Sequence, residues 1–524
     1  MKRYGVVLDG KSLSFDNVIT LADTDAKITL SDEALLLCAR SRKVLEDAVN
    51  ARKIVYGVNT SYGPMCNKII NDAQLEKLQV NLLRSHSVSM GDILPYDISR
   101  AVFVIRLNCL VKGFSGVRVE LLRFMEDVFN AGIAPVIYEQ GSVGASGDLV
   151  HLAHLGLGLI GEGDLYLNKE IMPAKTALEK AGLKPIELSY KEAISIMNGT
   201  SVMSAIACFA LHKAKKLYNA QILSLSFAIE IFGGFDDAFD IILHKLKAHE
   251  GQVYAAQKIE HLIDGSKNVT KRDALHDKIR SQETGGAVFE TDEGVQDAYS
   301  LRCAPQILAV LYDSITYAQK ILLTEINSSN DNPLVIAENG KILHGGNFHG
   351  QSVSFAMDGL RIAVSTLCNI SERRLNKLLD KNLNEGLPEN LAAGNVGLEL
   401  GFMGAQYLAV STTAENRQLA SPMSVNSISS NESNQDVVSM GTVSARLALK
   451  SAKNAELVQT IEILADLQAL SFRNSDKLGV ETKKIYDELS KHYEQYNCDK
   501  VFRENLVKFR EIIFENIAGK LGYI

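Results

Sequence analysis

A mainly α fold is what this sequence predicts, and three observations predict it. Only 9 of the 524 residues are proline, so little along the chain interrupts a helix. Apolar residues recur at helical spacing over Leu75–Leu83, Val117–Phe129, Val202–Phe232, Ala304–Ile326, Gln351–Leu379 and Met440–Leu470. Strand signals are few and short: Tyr4–Leu8, Leu165–Leu167 and a pair flanking Asn339-Gly340. Several of the helices exceed the roughly 8–20 residues common in globular proteins. That length reads as a bundle of long helices shared between subunits. A boundary falls near residue 205, with no linker to mark it. It separates a smaller, mixed N-terminal domain (1–205) from a central and C-terminal helical bundle (206–524). No internal repeat is evident.

Bulk properties exclude several classes of function. Asp and Glu outnumber Lys and Arg by 62 to 55, and no basic run appears, which argues against a nucleic-acid partner. No run of 18 or more apolar residues signals a membrane span, and the N-terminus lacks the apolar stretch of a signal peptide. The 7 cysteines are scattered and never in Cys-x-x-Cys spacing. They read as reduced thiols of a cytoplasmic protein rather than a disulfide or zinc framework. His151 and His154 lie three apart without a third ligand, so they are core or surface histidines and no metal site is expected.

Taken in chain order, the first segment with chemical character is Tyr56, followed by Gly57, Gly63 and Pro64, a hinge pattern around a lid at Tyr62–Met65. His86 follows, in Arg84-Ser-His-Ser87. Next comes Gly141-Ser-Val-Gly-Ala-Ser-Gly-Asp148. Within it, Ala145-Ser146-Gly147 can react with itself if the backbone is bent tightly. The Gly147 nitrogen attacks the Ala145 carbonyl carbon, and loss of two waters, one carrying the Ser146 hydroxyl, leaves a methylidene-imidazolone. Gly147 has no Cβ to block the approach, Ser146 supplies the leaving hydroxyl, and small Ala145 lets the ring close. The plain alternative is a glycine-rich turn capped by Asp148 at the start of a helix from Leu149.

Tyr299 and Arg302 share a helix face, and Arg302 offers a planar fork suited to a carboxylate; equally, they form a surface arginine stacked on its aromatic neighbour. Asn339-Gly340 is a two-residue hairpin signal. It pairs Glu338 with Lys341 and so brings Asn332 opposite Asn347, beside Phe348. Tyr407, Ser411 and Glu415 form a polar stripe spanning about 12 Å among Ala405, Leu408, Ala409, Val410 and Ala414, so the stripe is expected within a buried helix. Ser424–Asn434 reads as a solvated loop.

Seven segments together resemble the aromatic amino acid ammonia-lyase and aminomutase family. They are Tyr56-Gly-Val-Asn-Thr60, Gly144-Ala-Ser-Gly-Asp-Leu149, Asn198-Gly-Thr-Ser201, Tyr299-Ser-Leu-Arg302, Asn330-Asp-Asn-Pro333, Gly345-Gly-Asn-Phe348 and Asn434-Gln-Asp436. They stand in the family's order and close to its spacing, from about residue 50 to about residue 445. The resemblance implies a fumarase/aspartase-like helical architecture and a homotetramer whose active sites combine residues of three chains. It also implies a prosthetic group formed from Ala145-Ser146-Gly147, with no metal or external cofactor. The expected substrate is an aromatic α-amino acid, whose nitrogen the methylidene makes a better leaving group. Tyr56 is then the general base for the β-proton, and Arg302 with Asn332 holds the carboxylate. Asn198 and Tyr299 hydrogen-bond near the electrophile, Phe348 and Gln435 line the site, and Glu415 lies towards the amine.

Substrate choice follows from departures within the resemblance. Histidine ammonia-lyases typically carry Gln where this chain has Ala304, and Asn-Gln-Glu-Asp-His where it has Asn434-Gln-Asp-Val-Val438. Ser85-His86 resembles the selectivity pair of histidine ammonia-lyases, which tyrosine lyases and tyrosine 2,3-aminomutases can also carry. Tyr407 resembles the aminomutase residue that, with the histidine, contacts the phenolic hydroxyl. The expectation is therefore a tyrosine ammonia-lyase. Tyrosine 2,3-aminomutase is the first alternative, followed by histidine or phenylalanine ammonia-lyase. An inactive helical scaffold is disfavoured by the joint presence of the Ala-Ser-Gly triad, Tyr56 and Arg302.

Overall fold

The computed structural model of the chain describes residues 5–23 and 25–522. Helices dominate it, and the long ones run Leu75–His86, Val119–Asn130, Ser201–Phe232, Ala304–Glu325, Gln351–Leu379 and Gly441–Ser471, close to the spans their apolar spacing predicts. The chain forms two compact units, each assembled from separated stretches. Met1–Leu211, Tyr317–Asp358 and Pro422–Leu449 make the first; His212–Thr316, Gly359–Ser421 and Lys450–Ile524 make the second. The single boundary read near residue 205 is replaced by a discontinuous division. The physical reason is that four long helices, beginning with Ser201–Phe232, each contribute residues to both units.

In the first unit the helix Tyr96–Val111 is apolar nearly all round, and every side chain from Ile98 to Val111 is buried. Two of its polar members tie it to neighbouring elements. Arg100 donates through Nε to the Leu21 carbonyl at 3.0 Å and lies 3.9 Å over the Phe129 ring. Asn108 donates to the Ile326 carbonyl at 2.9 Å. Short strands surround this core. Gly5–Leu8 pairs in parallel with Lys27–Leu30, Met90–Ile93 pairs with Tyr138–Gln140, and Asp164–Leu167 lies between Ile133–Pro135 and Glu170–Pro173. Tyr4, the first residue of one strand read from the sequence, lies outside the described residues.

The hairpin of the first unit forms, but in another register. Ile336 pairs with Lys341 and Leu334 with Leu343, so the turn is the four residues Ala337–Gly340 rather than Asn339-Gly340 alone. The Asn339 side chain accepts from the Lys341 N–H at 3.1 Å, and Gly340 takes φ +66°, a local turn that lengthens the loop. In consequence Asn332 faces Gly345, whose N–H it accepts at 2.8 Å, and not Asn347.

The second unit is helical and carries a buried polar layer. Arg374 donates to Glu462 at 2.5 Å and to Gln221 at 2.9 Å, and Ser224 donates to Asp466 at 2.8 Å. Burial, with the Glu462 charge adding to it, pushes the Asp466 carboxyl well above the usual carboxylate range. Gln351–Leu379 is long and apolar enough, by length and composition alone, to cross a membrane; 72% of its most apolar window is buried inside the protein.

Candidate active site

Ala145-Ser146-Gly147 occupies a turn that its surroundings compress. Gly147 has φ +64°, and a Cβ built there would lie 2.0 Å from the Gly199 carbonyl oxygen, so any side chain would force the two segments apart. Gly144, at φ +71°, meets Ser439 Oγ in the same way at 2.3 Å. Ala145 packs with Val438 and Met440. Asn198 donates from Nδ2 to the Ser146 carbonyl at 2.8 Å, and Gln435 donates from Nε2 to Ser146 Oγ at 3.0 Å.

Asp148 does not cap the helix that follows it. Its wholly buried carboxylate accepts the Val202 and Met203 N–H groups, both at 2.9 Å. It thereby caps Ser201–Phe232, a favourable place for negative charge. Ser142 donates to the other carboxylate oxygen at 2.9 Å, and Thr442 donates to it as well. Burial nevertheless outweighs these bonds and holds the carboxyl above its ordinary range. The Asp148 N–H donates to the Gly199 carbonyl at 2.7 Å, which locks the turn against the Asn198-Gly199 segment.

Ser146 opens onto a cavity of about 470 Å³ within the first unit, lined also by Tyr56, His86, Asn198, Asn332, Phe348 and Gln435. That volume suits a single small ligand. The lid read at Tyr62–Met65 forms one wall, with Gly63–Met65 as a 3₁₀ turn. The Gly63 N–H donates to the Tyr56 hydroxyl at 3.0 Å, and the Tyr56 and Tyr62 rings meet edge to face with centroids 6.3 Å apart. Burial pushes the Tyr56 phenol up, against the opposing effect of the Gly63 bond. Burial likewise lowers the His86 imidazole, against the opposing effect of the Leu82 bond. Among the described residues, the cavity lining contains no Lys or Arg.

Four expected site residues lie in the second unit and do not line this cavity. Tyr299 is 68% exposed and carries the Arg302 guanidinium 4.5 Å from its ring centroid. Arg302 donates to the Asp297 carbonyl at 2.9 Å, which is the stacked surface arrangement that the spacing equally allowed. Tyr407 is 66% exposed, and Glu415 is exposed and paired with Lys450 at 2.6 Å and Asn454 at 2.9 Å. The Lys450 bond holds the Glu415 carboxyl below its usual range. The expectation that the Tyr407–Ser411–Glu415 stripe is buried is therefore corrected. The helix Met403–Leu419 buries instead the face of Ala405, Ala409, Thr412, Thr413 and Asn416. Leu408 and Val410 are exposed beside the stripe.

Other residues enter that the sequence reading passed over. Arg106, wholly buried, donates to the Asn198 carbonyl at 3.0 Å and to Asn330 at 2.9 Å, and so holds the segment that carries Asn198. A lone arginine inside the apolar run Ala101–Val111 was the available signal, since a buried charge needs a dedicated partner. Asn431 lines the cavity from the loop read as solvated, beside Asn434 at that loop's end. His151 and His154 are structural: His151 Nε2 donates to the Glu139 carbonyl at 3.3 Å, and His154 Nε2 is hydrogen-bonded with Ser89 Oγ at 2.7 Å. Among the described residues no cluster of His, Cys, Asp and Glu is placed to hold a metal.

A mainly helical chain with this architecture has the fold of the aspartase/fumarase-like superfamily. Residues 13–491 match the family described as aromatic amino acid lyase. A histidine ammonia-lyase of Treponema denticola is 40% identical over 513 residues, covering 98% of this chain and 97% of that protein. A tyrosine 2,3-aminomutase of Chondromyces crocatus is 38% identical, covering 94% and 93%. The crystal structure of tyrosine aminomutase from Streptomyces globisporus is similar with a TM-score of 0.94 at 34% identity, covering 98% of this chain and 97% of that one. The chain belongs to the aromatic amino acid lyase family, and its reaction class is that of a carbon–nitrogen lyase.

Proposed function

We propose that the protein eliminates ammonia from L-tyrosine without oxidation, giving trans-p-coumarate. The observation that carries this reading is the His86 imidazole in the same cavity as Ser146 and Tyr56. His86 Nδ1 lies 2.9 Å from Ser85 Oγ and 3.1 Å from the Leu82 carbonyl oxygen, which can only accept, and a proton on Nδ1 satisfies both. Ser85 Oγ already donates to that same carbonyl at 3.0 Å. Nε2 is left as an acceptor, the partner a phenolic O–H requires.

The family depends on methylidene-imidazolone, and the Ala145-Ser146-Gly147 turn fits it. Gly147 sits where a Cβ cannot, and Asn198 and Gln435 donate to both Ser146 oxygens. When formed, the group supplies an electrophile that makes the substrate nitrogen a better leaving group. The residues of the chain do the rest. Tyr56 takes the β-proton, Asn332 and Phe348 orient the substrate, and the lid excludes water.

A substrate carboxylate needs a cation that the lining described above lacks. We assign that part to Arg302, supplied, like Tyr299, Tyr407 and Glu415 for their own roles, by neighbouring copies in a homotetramer. Arg302→Lys keeps the charge but not the two-pronged geometry. It should raise KM and lower kcat/KM for every amino acid tested without changing their order. An altered order at unchanged KM would place Arg302 away from the carboxylate. The seven unpaired cysteines support our assignment of the protein to the cytoplasm.

Incubation with Tyr, Phe and His separately, with detection of arylacrylate and β-amino acid, tests the substrate. p-Coumarate should form fastest; preferred release from histidine would refute tyrosine. The second reading, tyrosine 2,3-aminomutase, is favoured by the likeness to aminomutases at a TM-score of 0.94. Accumulation of 3-amino-3-(4-hydroxyphenyl)propanoate would establish it. Replacing the hydroxyl-reading pair, as His86→Leu with Tyr407→Phe, should move kcat/KM from tyrosine towards phenylalanine by roughly tenfold or more. An unmoved ratio would dissociate these residues from substrate choice.

A further inference from the structure

Gln435 is held in one orientation, against the one hydroxyl that the proposed prosthetic group must lose. Its Nε2–H donates to Ser146 Oγ at 3.0 Å, while its Oε1 accepts from Ser430 Oγ, also at 3.0 Å. A carboxamide can present either nitrogen or oxygen, and here the Ser430 hydroxyl donates to the oxygen while the nitrogen faces Ser146. The backbone reinforces this. The Ser430 N–H donates to the Gln435 carbonyl at 3.1 Å and the Gln435 N–H donates back at 3.3 Å. The loop they close places Asn431, Glu432 and Ser433 at φ +52°, +53° and +62°. Three successive side-chain-bearing residues in the left-handed region are unfavourable, and such strain persists where the surroundings impose it, often at functional sites. The same loop meets the lid: a Cβ on Gly63 would stand 2.6 Å from Asn431 Nδ2.

From this geometry we infer that Gln435 assists departure of the Ser146 hydroxyl during maturation, and that Ser430 is its positioning residue. The inference rests on the self-formed electrophile proposed above. In the step concerned, the Ser146 Cα–H electron pair becomes the Cα=Cβ double bond as the Cβ–Oγ bond breaks. The Cα proton and the hydroxide leave together as one water, and no oxidant is required. The Gln435 N–H is placed on the oxygen that gathers negative charge as that bond lengthens, the arrangement by which a preorganised donor lowers a barrier. Gln435 gives up no proton. Ser430 acts only through it.

Intact mass, followed in time after synthesis is stopped, separates the two dehydrations. Gln435→Glu keeps the shape of the side chain without its N–H, and Gln435→Leu removes the hydrogen bond altogether. Both should accumulate a chain one water lighter than encoded, with the two-water species formed at least roughly tenfold more slowly. Ser430→Ala should slow the second loss roughly fivefold, and Ser430→Thr, which keeps the hydroxyl, should restore it. The comparison is made on soluble protein whose unfolding transition matches wild type. The inference is overturned if Gln435→Leu loses both waters at the wild-type rate. It is equally overturned if that variant retains its full mass, since the amide would then act on ring closure. Wild type at full encoded mass would instead remove the electrophile itself, and with it the reading beneath this one.

Discussion

Ser146→Ala should yield a folded chain that loses at most the one water of ring closure and nearly all turnover. The substitution removes Oγ, whose bond in the structure comes from Gln435 Nε2, while Asn198 continues to donate to the Ser146 backbone carbonyl. The loss of one neutral hydrogen bond costs about 0.5–1.5 kcal/mol, small against the stability of a large chain. The close approach of Gly147 to Gly199 and the capping of Ser201–Phe232 by Asp148 do not involve that oxygen. Fold and chemistry should therefore separate cleanly. Without the hydroxyl no methylidene can form, and the loss of rate should exceed the roughly 10²–10⁴-fold attributable to a missing acid or base. Wild type should be two waters lighter than its encoded sequence, and the near-ultraviolet difference spectrum against the variant should report the group. Active wild-type protein at full mass would end the hypothesis.

Helix positions were legible because burial on one face imposes a period that the spacing of apolar residues reveals. Gln351–Leu379 was read at the limits the structure has. Lys27–Leu30, Met90–Ile93 and Tyr138–Gln140 were not read, because strands of three or four residues are too short to show alternation. The hairpin register went astray for a local reason. Asn339-Gly340 is a strong signal for a two-residue turn, but Asn339 bonds the Lys341 N–H and closes a four-residue one. Pairing rules that count residues cannot anticipate that side chain.

The site divides along the same line between local and distant information. Tyr56, His86, Ser146, Asn198, Asn332, Phe348 and Gln435 converge on one cavity, although they come from stretches almost 380 residues apart in sequence, from 56 to 435. Their motifs could be read because each is short and rich in residues with unusual backbone or donor properties. Tyr407 and Glu415 were expected inside a buried helix because apolar neighbours usually mean core. Leu408 and Val410 show the flaw, being exposed in the single chain; sequence does not distinguish a core face from one that a further copy would cover. Arg106 and Ser430 were missed because their roles act through another residue. Asn198 and Gln435 reach Ser146, and the sequence near each gives no sign of what aligns it.

Tyr56→Phe should lower kcat by roughly 10²–10⁴-fold, the scale of a lost general base, with little change in KM. The ring stays, so its edge-to-face contact with Tyr62 and its wall of the cavity persist. What disappears is the oxygen that accepts the Gly63 N–H at 3.0 Å. Tyr62 cannot easily replace it, because its hydroxyl accepts from Gln79 and donates to the Gly57 carbonyl, both at 3.3 Å. A phenol is an effective base only as phenolate, and burial raises the Tyr56 pKa within the single chain. The sign is therefore definite. Proton abstraction should strengthen as pH rises and the phenolate fraction grows, and this rising limb of kcat/KM should be absent from the Phe variant. A cation brought near Tyr56 by assembly would move that limb towards neutral pH. Arg302→Met should accordingly shift it to higher pH, an effect unlike the KM change expected for Arg302→Lys. If Tyr56→Phe retains near-normal kcat and its rising limb, the base is another residue, and Tyr299 becomes the one to substitute next.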